Sequence, residues 1–203
     1  MEKVNYPEIE EAYRSFKASI EILNAQGKNL KTLLFTSTVA GEGRSSVIAG
    51  VAKAMAGAGK KVLVMECDFR NPSQAKLLGV AEQGMYELLT GNGQAKDMVK
   101  ANNDGVAVLP AGISVVDPVA LLASARFDAL LAEVKEQYDF VLLDAPAALN
   151  NMDACTIATK CDGTVMVCAS GMPTPDEAKK VKAKLEQAGA KLIGVLLTKV
   201  DVM

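Results

Sequence analysis

Residues 32–46 read TLLFTSTVAGEGRSS, an apolar run that ends in a glycine-containing loop and leads into a helical pattern. Gly41 and Gly43 allow the backbone to turn tightly and to approach a ligand, because neither carries a Cβ atom. A helix that begins near Arg44 would direct its free amides and the positive end of its dipole at the same point. The stretch predicts a strand, a phosphate-binding loop and a helix, with Arg44 where such loops carry lysine. An ordinary glycine turn between a strand and a helix is the alternative.

The composition limits the chemistry that the chain can perform. The sequence has 203 residues, a formal net charge of −2 and no histidine. Without histidine, Ser-His-Asp and Cys-His nucleophilic sites are excluded, and a zinc site is disfavoured. The nearly balanced charge does not favour a nucleic-acid surface, so we expect no nucleic acid as a partner. The chemistry must therefore rely on carboxylates, hydroxyls, lysine, arginine and backbone amides.

The apolar runs and the cysteines favour a cytoplasmic protein. No apolar run approaches the roughly 20 residues that a membrane-spanning helix needs. Residues 1–11, MEKVNYPEIEE, are too polar and acidic for a signal peptide. The four cysteines lack CxxC spacing, which favours buried, reduced thiols. Docking onto a membrane protein is compatible with all of these features.

Short β-branched runs alternate with longer amphipathic stretches along the chain. We predict strands at 32–36, 62–65, 106–109, 140–143, 164–168 and 192–197. We predict helices at 8–23, 44–58, 73–78, 84–89, 127–137, 153–160 and 174–188. This alternation predicts an α/β fold with a doubly wound, mostly parallel sheet and helices on both faces. We expect a single domain over residues 1–203, with 1–28 as an N-terminal helical segment and 92–103 as the least regular part.

Acidic residues follow directly after two of the predicted strands. Glu66 and Asp68 follow the second strand within MECDFRNPS, and Asp144 ends the fourth strand within DFVLLDAP. Because side chains of an extended chain alternate with a period of two, Glu66 and Asp68 face the same way. Ligands of such sheets bind beyond the carboxyl ends of the strands. The acids and the glycine loop together predict a magnesium-nucleotide site, whereas each acid alone could be a solvated strand end.

Together these motifs resemble the bacterial tyrosine kinases in their stand-alone cytoplasmic form, which work with capsule and exopolysaccharide machinery. These are P-loop proteins, close in fold to septum-placement and chromosome-partitioning ATPases. The resemblance covers almost the whole chain, including the opening helix at 7–23, QGMYELLTG at 83–91 and AGISVVDPVALLASARFDALL at 111–131. The match at 111–131 does not serve generic nucleotide binding, and it favours this family over the related ATPases.

The resemblance implies a role for each site residue in an ATP-dependent protein-tyrosine kinase. Ser45, Asp68 and Asp144 would bind Mg²⁺, while Arg44 and the loop amides would bind the phosphates of ATP or ADP. Glu66 would act as the base for the tyrosine hydroxyl, with Asp68 and Arg44 also in the catalytic set. The implied nucleotide-binding residues are Ala40, Gly41, Glu42, Gly43, Arg44, Ser45, Ser46, Arg70 and Thr198.

The resemblance also implies partners. The family's opening helix carries a charged pattern that joins subunits into a ring, and Glu11, Arg14 and Lys17 match it here. Residues at this spacing share one face of a helix. We therefore expect a homo-oligomer and activation by the cytoplasmic tail of a membrane adaptor of the polysaccharide co-polymerase type. Such an adaptor would recruit the cytoplasmic protein to the inner face of the membrane.

Several departures from the family pattern favour nucleotide binding over vigorous catalysis. Ala40 and Arg44 replace the proline and lysine of the loop, Glu66 replaces the first aspartate, and Thr198 replaces an asparagine that helps to read adenine. The family's C-terminal tyrosine cluster has no match among Tyr6, Tyr13, Tyr86 and Tyr138. A nucleotide-binding regulator without catalysis, or pseudokinase, is therefore the alternative. A partitioning-type ATPase that moves on membrane or DNA is a third hypothesis.

Overall fold

A single sheet organises the protein, whose computed structural model describes residues 7–80, 83–113, 115 and 117–200. The strands in these residues are β1 Thr32–Ser37, β2 Val62–Glu66, β3 Lys100–Ala101, β4 Ala107–Leu109, β5 Phe140–Asp144, β6 Gly163–Ala169 and β7 Leu192–Thr198. Their order across the sheet is β3-β4-β2-β5-β1-β6-β7. All neighbouring pairs are parallel except β3 and β4. The prediction of a mostly parallel α/β sheet is confirmed.

Helices cover both faces of this sheet. In the described residues they are α1 Pro7–Ala25, α2 Arg44–Gly57, α3 Gln74–Leu78, α4 Met85–Thr90, α5 Ala95–Met98, α6 Pro118–Leu122, α7 Ala125–Gln137, α8 Asp153–Ala158 and α9 Pro175–Gln187. Side chains of α1, α2 and α3 pack on one face, and those of α4 and α6 to α9 pack on the other. Among these helices, none combines the length and the apolar character that crossing a membrane requires.

The strands β1, β2, β5 and β6 are apolar at consecutive positions because both of their faces are covered. In β1, Leu33 and Phe35 pack on the α2 side, whereas Leu34 packs on the opposite side. All three side chains are completely buried. Each such side chain contributes about 1.5–3 kcal/mol relative to an exposed one. This double burial fixes β1 and β5 at the centre of the sheet and sets their carboxyl ends side by side.

Three short elements are absent from the sequence-based prediction. The helix α5 and the two-residue strand β3 lie within residues 92–103, which the pattern treats as irregular. Neither is long enough to show a hydrophobic period. The helix α6 has a local signal, because Pro118 occupies its first turn directly after Asp117. The predicted helices and strands agree with the structure to within two residues at each end.

The N-terminal helix α1 uses its apolar side to cover α2. The Tyr13 ring lies directly on Gly50, where a Cβ atom would stand 2.1 Å from ring atom Cε2. The rings of Phe16 and Phe35 have centroids 5.9 Å apart. This apolar side therefore packs against the core. The polar side of α1 faces outwards, and the Arg14 side chain is 63% exposed.

Candidate active site

The glycine loop and the start of α2 form one side of the site. Gly41 and Gly43 have backbone φ angles of 83° and 82°, a left-handed conformation that favours glycine. Gly43 is the N-cap of α2, and within the described residues no side chain caps this helix and no acid lies in its first turn. The first amides of α2, from Arg44 onwards, can therefore donate to an incoming anion. The helix dipole favours the same ligand, which makes this helix start suitable for phosphate.

The rest of the loop is fastened to the neighbouring strands. The buried Glu42 carboxylate accepts the amide of Val39 at 2.7 Å and the amide of Ala169 at 3.0 Å. The Thr198 hydroxyl donates to the carbonyl oxygen of Glu42 at 2.6 Å. Glu42 and Thr198, both expected to bind nucleotide, thus use their side chains to shape the loop. Ala40 is exposed on its surface.

The side chain of Arg44 lies between two acids. Its Nη2 donates to Asp68 Oδ2 at 2.8 Å, and its Nε donates to Asp144 Oδ1. Only 10% of the Arg44 side chain is exposed. Burial acts to lower the pKa of Arg44, but Asp144 and Asp68 raise it above its ordinary value, so the guanidinium stays charged. The sequence predicts Arg44 on phosphate, whereas the structure places it on the two acids predicted to bind Mg²⁺.

Asp68 is held differently on its two oxygens. Oδ1 accepts the backbone amides of Arg70 at 3.2 Å and Asn71 at 3.0 Å. Oδ2 is bound by Arg44. Burial raises the pKa of Asp68, and the Arg44 charge opposes that rise. One oxygen is therefore fixed by the backbone, and the other depends on a side chain that can rotate away.

Glu66 is held by the backbone on both oxygens. Oε1 accepts the amides of Ser73 and Gln74, and Oε2 accepts the amide of Ala111 at 3.1 Å. A carboxylate offers about four acceptor positions, so these three bonds leave one open. Burial raises the pKa of Glu66, although the three amides oppose the rise. Glu66 also lines a cleft of about 540 Å³, together with Pro72, Ala75, Lys76, Gln83, Glu87, Gly112 and Ile113.

Gln74 belongs to the site, although the sequence-based reasoning does not select it. Its side chain is fully buried, and Nε2 donates to Asp144 Oδ2 at 2.6 Å and to the Ser45 carbonyl at 3.1 Å. Its Oε1 is buried without a hydrogen-bond partner in the described part of the chain. Gln74 therefore ties α3 to both the loop and β5. A glutamine among the buried positions of α3, beside Ala75 and Leu78, is the signal that could have identified it.

The Arg70 side chain pairs with a buried acid. Its Nε lies 3.3 Å from Asp153 Oδ1, and its Nη2 lies 3.4 Å from Asp153 Oδ2. Asp153 begins α8 and is completely buried, whereas the Arg70 side chain is 34% exposed. The pair fastens the segment after β2 to α8. Asp153 had no sequence signal beyond being an acid at a predicted helix start.

The structure brings most of the predicted site residues to one edge of the sheet. Glu66, Asp68 and Asp144 lie at the carboxyl ends of β2 and β5, and we call them the acidic rim. The rim lies beside the start of α2, where Ser45 is half-buried and Ser46 is exposed. Arg70 and Thr198 instead contact protein groups next to the rim.

The oxygen donors fit magnesium by type. The Ser45 hydroxyl and the carboxylates of Asp68 and Asp144 are the hard oxygen ligands that Mg²⁺ prefers. In the structure, however, Arg44 binds both carboxylates and Gln74 binds the second oxygen of Asp144. The residues that the structure describes contain no group of three or more His, Cys, Asp or Glu side chains that could hold a metal ion. Magnesium therefore fits these donors only when Arg44 has left them.

Comparison with known proteins identifies the family. A family model described as "AAA domain" matches residues 30–170. The tyrosine-protein kinase CpsD of Streptococcus agalactiae is 32% identical over 196 residues, which cover 95% of this chain and 84% of the relative. The chain belongs to the AAA domain family and to the bacterial tyrosine kinases.

Solved structures, one of them the kinase domain of a bacterial tyrosine kinase, have the same fold. The chimerical protein CapA2B2 matches with a TM-score of 0.89 and 29% identity, over 95% of this chain and 85% of that one. The kinase domain of the Escherichia coli tyrosine kinase ETK matches with a TM-score of 0.88 and 25% identity, over 96% and 78%. The resemblance to this family and the P-loop fold class are confirmed.

Proposed function

We propose that this protein is an ATP-dependent protein-tyrosine kinase that autophosphorylates and regulates capsule or exopolysaccharide synthesis or export. The observation that carries the proposal is the meeting of the uncapped start of α2 with the acidic rim. Phosphoryl transfer depends mainly on positioning and on neutralising the charge of the phosphates. A helix start that binds anions, next to carboxylates that suit a metal, provides both. Relatives named tyrosine-protein kinases support the proposal.

The proposed nucleotide site uses the loop for phosphate and the rim for metal. The amides of residues 41–46 would bind the β- and γ-phosphates, joined by the Arg44 guanidinium once it leaves the acids. Ser45, Asp68 and Asp144 would hold Mg²⁺, which when bound neutralises phosphate charge. Thr198, whose side chain lies beside Gly43, is the proposed contact towards adenine.

Glu66 is the proposed base for the acceptor tyrosine. Burial raises its pKa, which makes the carboxylate a stronger proton acceptor. Glu66 is 1% exposed but lies in the wall of the 540 Å³ cleft, so an incoming ring placed there would stand beside it. The apolar side chains of Pro72 and Ile113 in the same cleft suit an aromatic ring. The backbone bonds to Glu66 would hold the base in place.

Transfer of labelled γ-phosphate from ATP to tyrosine tests the function. Wild type should label tyrosine when a peptide of the adaptor's cytoplasmic tail is added, with the product identified by mass spectrometry. Glu66→Gln should lower the rate at least about 100-fold, because a general base contributes that much or more. Its affinity for ADP should stay unchanged. Glu136→Gln, on the exposed side of α7, is the matched control and should label normally. Absence of labelled tyrosine from wild type with the tail peptide would refute the kinase proposal.

A second candidate function is a nucleotide-binding regulator without catalysis. The pairing of Arg44 with Asp68 and Asp144 favours it, because a guanidinium kept on the rim leaves the γ-phosphate misplaced. A displacement of about 1 Å can cost roughly 100-fold in rate. Arg44→Lys should then raise phosphoryl transfer while ADP affinity changes little. If wild type already turns over at about 1 per second or faster and Arg44→Lys is no faster, the pocket is adapted to arginine and this candidate fails.

We further propose that the protein forms a homo-oligomer and works with the cytoplasmic tail of a membrane adaptor. The polar side of α1 is the proposed subunit contact, through Glu11, Arg14 and Lys17. Arg14 pairs only loosely with its own helix, at 3.3 Å from Glu10 and 3.6 Å from Glu11, and stays largely exposed. Arg14→Glu should shift the mass measured by light scattering towards the monomer. A wild type that is monomeric at high concentration would contradict this proposal.

A further inference from the structure

We infer that Arg44 is a mobile counter-ion that makes metal binding and nucleotide binding depend on each other. The inference rests on the proposed nucleotide site and concerns how that site is filled. Arg44 is the first residue of α2 and belongs to the loop that would receive the phosphates. In the structure, the same side chain neutralises the two carboxylates that would receive the metal. One cation thus serves two anionic sites and can satisfy only one of them at a time.

Charge and burial keep Arg44 on the rim until another cation replaces it. Asp144 is fully buried and Asp68 is 5% exposed. The two carboxylates together with the Arg44 guanidinium carry a net charge of about −1. The carboxylates alone carry about −2. A buried carboxylate without a partner is strongly destabilising. Phosphates alone, which are also anions, therefore compete poorly for Arg44.

The carboxylates would stay in position after Arg44 leaves. The second oxygen of Asp144 is bound by Gln74 Nε2 at 2.6 Å. The second oxygen of Asp68 is bound by the backbone amides of Arg70 and Asn71. None of these donors belongs to the loop. The freed oxygens therefore still face the point that the guanidinium occupied, as a prepared pair of oxygen ligands for a divalent cation.

The forked shape of arginine is what makes this competition strong. Arg44 reaches Asp144 through Nε and Asp68 through Nη2, and its Nη1 lies 3.4 Å from the Ser37 hydroxyl. A lysine carries its three donors on a single nitrogen, so it could contact both acids only from one point, whereas arginine reaches them from two nitrogens. We therefore expect the competition with metal to be stronger for this arginine than for the usual lysine.

The two ligands consequently favour each other. A metal without nucleotide must displace Arg44, and a nucleotide without metal must draw Arg44 away from two buried acids. When both bind, the metal takes the carboxylates and Arg44 takes the phosphates. Binding of each ligand then raises the affinity for the other by the same factor, as thermodynamic linkage requires.

Titration with Mn²⁺ in the absence of nucleotide tests the competition directly. The free Mn²⁺ signal in electron paramagnetic resonance would be followed for wild type, Arg44→Lys and Arg44→Ala. We expect Mn²⁺ affinity to rise in that order, with Arg44→Ala at least about fivefold tighter than wild type, at the lower end of typical coupling factors. Arg44→Lys keeps a cation at the rim, so it tests the inference even if Arg44→Ala fails to fold. Arg126→Ala, which removes an exposed arginine bound to the Leu89 carbonyl, is the control and should match wild type.

A second measurement separates this inference from the proposed function. ADP affinity would be compared with Mg²⁺ and with a chelator, and the ratio should be larger for wild type than for Arg44→Lys. Equal Mn²⁺ affinity of wild type and both Arg44 variants would overturn the inference while leaving the kinase proposal intact. If wild type bound no ADP under either condition, the proposed nucleotide site would fail, and the Mn²⁺ titration would still decide whether Arg44 competes with metal.

Discussion

The two ends of the sheet hold acids in different ways. At the amino end, Asp162 lies directly before β6 and accepts the amides of Lys31 at 3.0 Å and Thr32 at 2.8 Å. The Lys135 ammonium adds a contact of 2.7 Å. Burial acts to raise the pKa of Asp162, but Lys135 and the backbone amides lower it below its ordinary value. The surroundings of Asp162 therefore favour its charged form.

At the carboxyl end, the pKa of the acid shifts in the opposite direction. Burial raises the pKa of Asp68 despite the nearby Arg44 charge. Arg44 binds Asp68 through its side chain, and a ligand cation could take the place of that guanidinium. An acid whose charge is stabilised by its own fold has a structural role, whereas an acid whose charge is under-compensated can gain by binding a cation. Burial and partner differ together in this comparison: the Asp162 side chain is 20% exposed and is held mainly by its own fold, whereas the buried Asp68 depends on a cation that a ligand could supply.

The largest expected effect comes from exchanging one acid at each end for its amide. Asp144→Asn removes one charge from the rim while Gln74 and Arg44 remain beside it. We expect phosphoryl transfer to fall at least about 100-fold, because the metal and the γ-phosphate lose their position. Asp162→Asn should leave the transfer rate within about twofold of wild type, since it acts only on stability. Phosphoryl-transfer assays on the two folded variants measure this difference. An equal loss of rate in both variants would contradict the distinction between the two ends of the sheet.

Acid titration distinguishes the two ends by stability. Because the pKa of Asp162 is lowered in the folded state, its contribution is present above the unfolded value and is lost as the pH falls through the folded value. At pH 7, Asp162→Asn should lower the free energy of unfolding by about 2 kcal/mol, as expected for hydrogen bonds to a charged group. The difference from wild type should shrink below about pH 4. Urea unfolding between pH 7 and pH 3 measures it, and a constant difference across that range would contradict the account.

The smallest effect is expected for Glu42, an acid with a structural role that lies at the carboxyl end of the sheet, in the glycine loop. Glu42 accepts the amides of Val39 and Ala169 and therefore resembles Asp162 in its partners. Glu42→Gln should lower the free energy of unfolding by about 1 kcal/mol, because one amide loses its acceptor. ADP affinity should fall by less than about tenfold, or 1.4 kcal/mol. Calorimetric measurement of both quantities checks this. If Glu42→Gln lost ADP binding but kept normal stability, the position of an acid in the sheet, and not its hydrogen-bond partners, would determine its role.

The fold was largely predictable because its strands are long apolar runs separated by amphipathic helices. The strand ends also predicted that Asp68 and Asp144 meet the glycine loop at one edge. β3 and α5 could not be derived with the same rules, since a two-residue strand and a four-residue helix show no period, and α6 has only the local signal of Pro118 after Asp117. The sequence thus indicated which elements carry these residues, and their role as a ligand site stays a prediction.

The contacts within the site were not predictable from spacing. The direction of the Arg44 side chain depends on acids that follow in sequence by 24 and 100 residues. The backbone bonds to Glu66 come from the start of α3 and from Ala111, and no local pattern encodes them. Motif spacing shows which residues approach one another. Which of them pair is decided by three-dimensional competition between charges.

Calorimetric titration of wild type with ADP, once with Mg²⁺ and once with a chelator, tests the central claim most directly. The claim is that the acidic rim and the start of α2 form one site, filled by metal and nucleotide together. The account predicts tight binding with Mg²⁺ and at least about fivefold weaker binding with the chelator, within the range of typical coupling. Equal affinity under both conditions, or no binding under either, would contradict it.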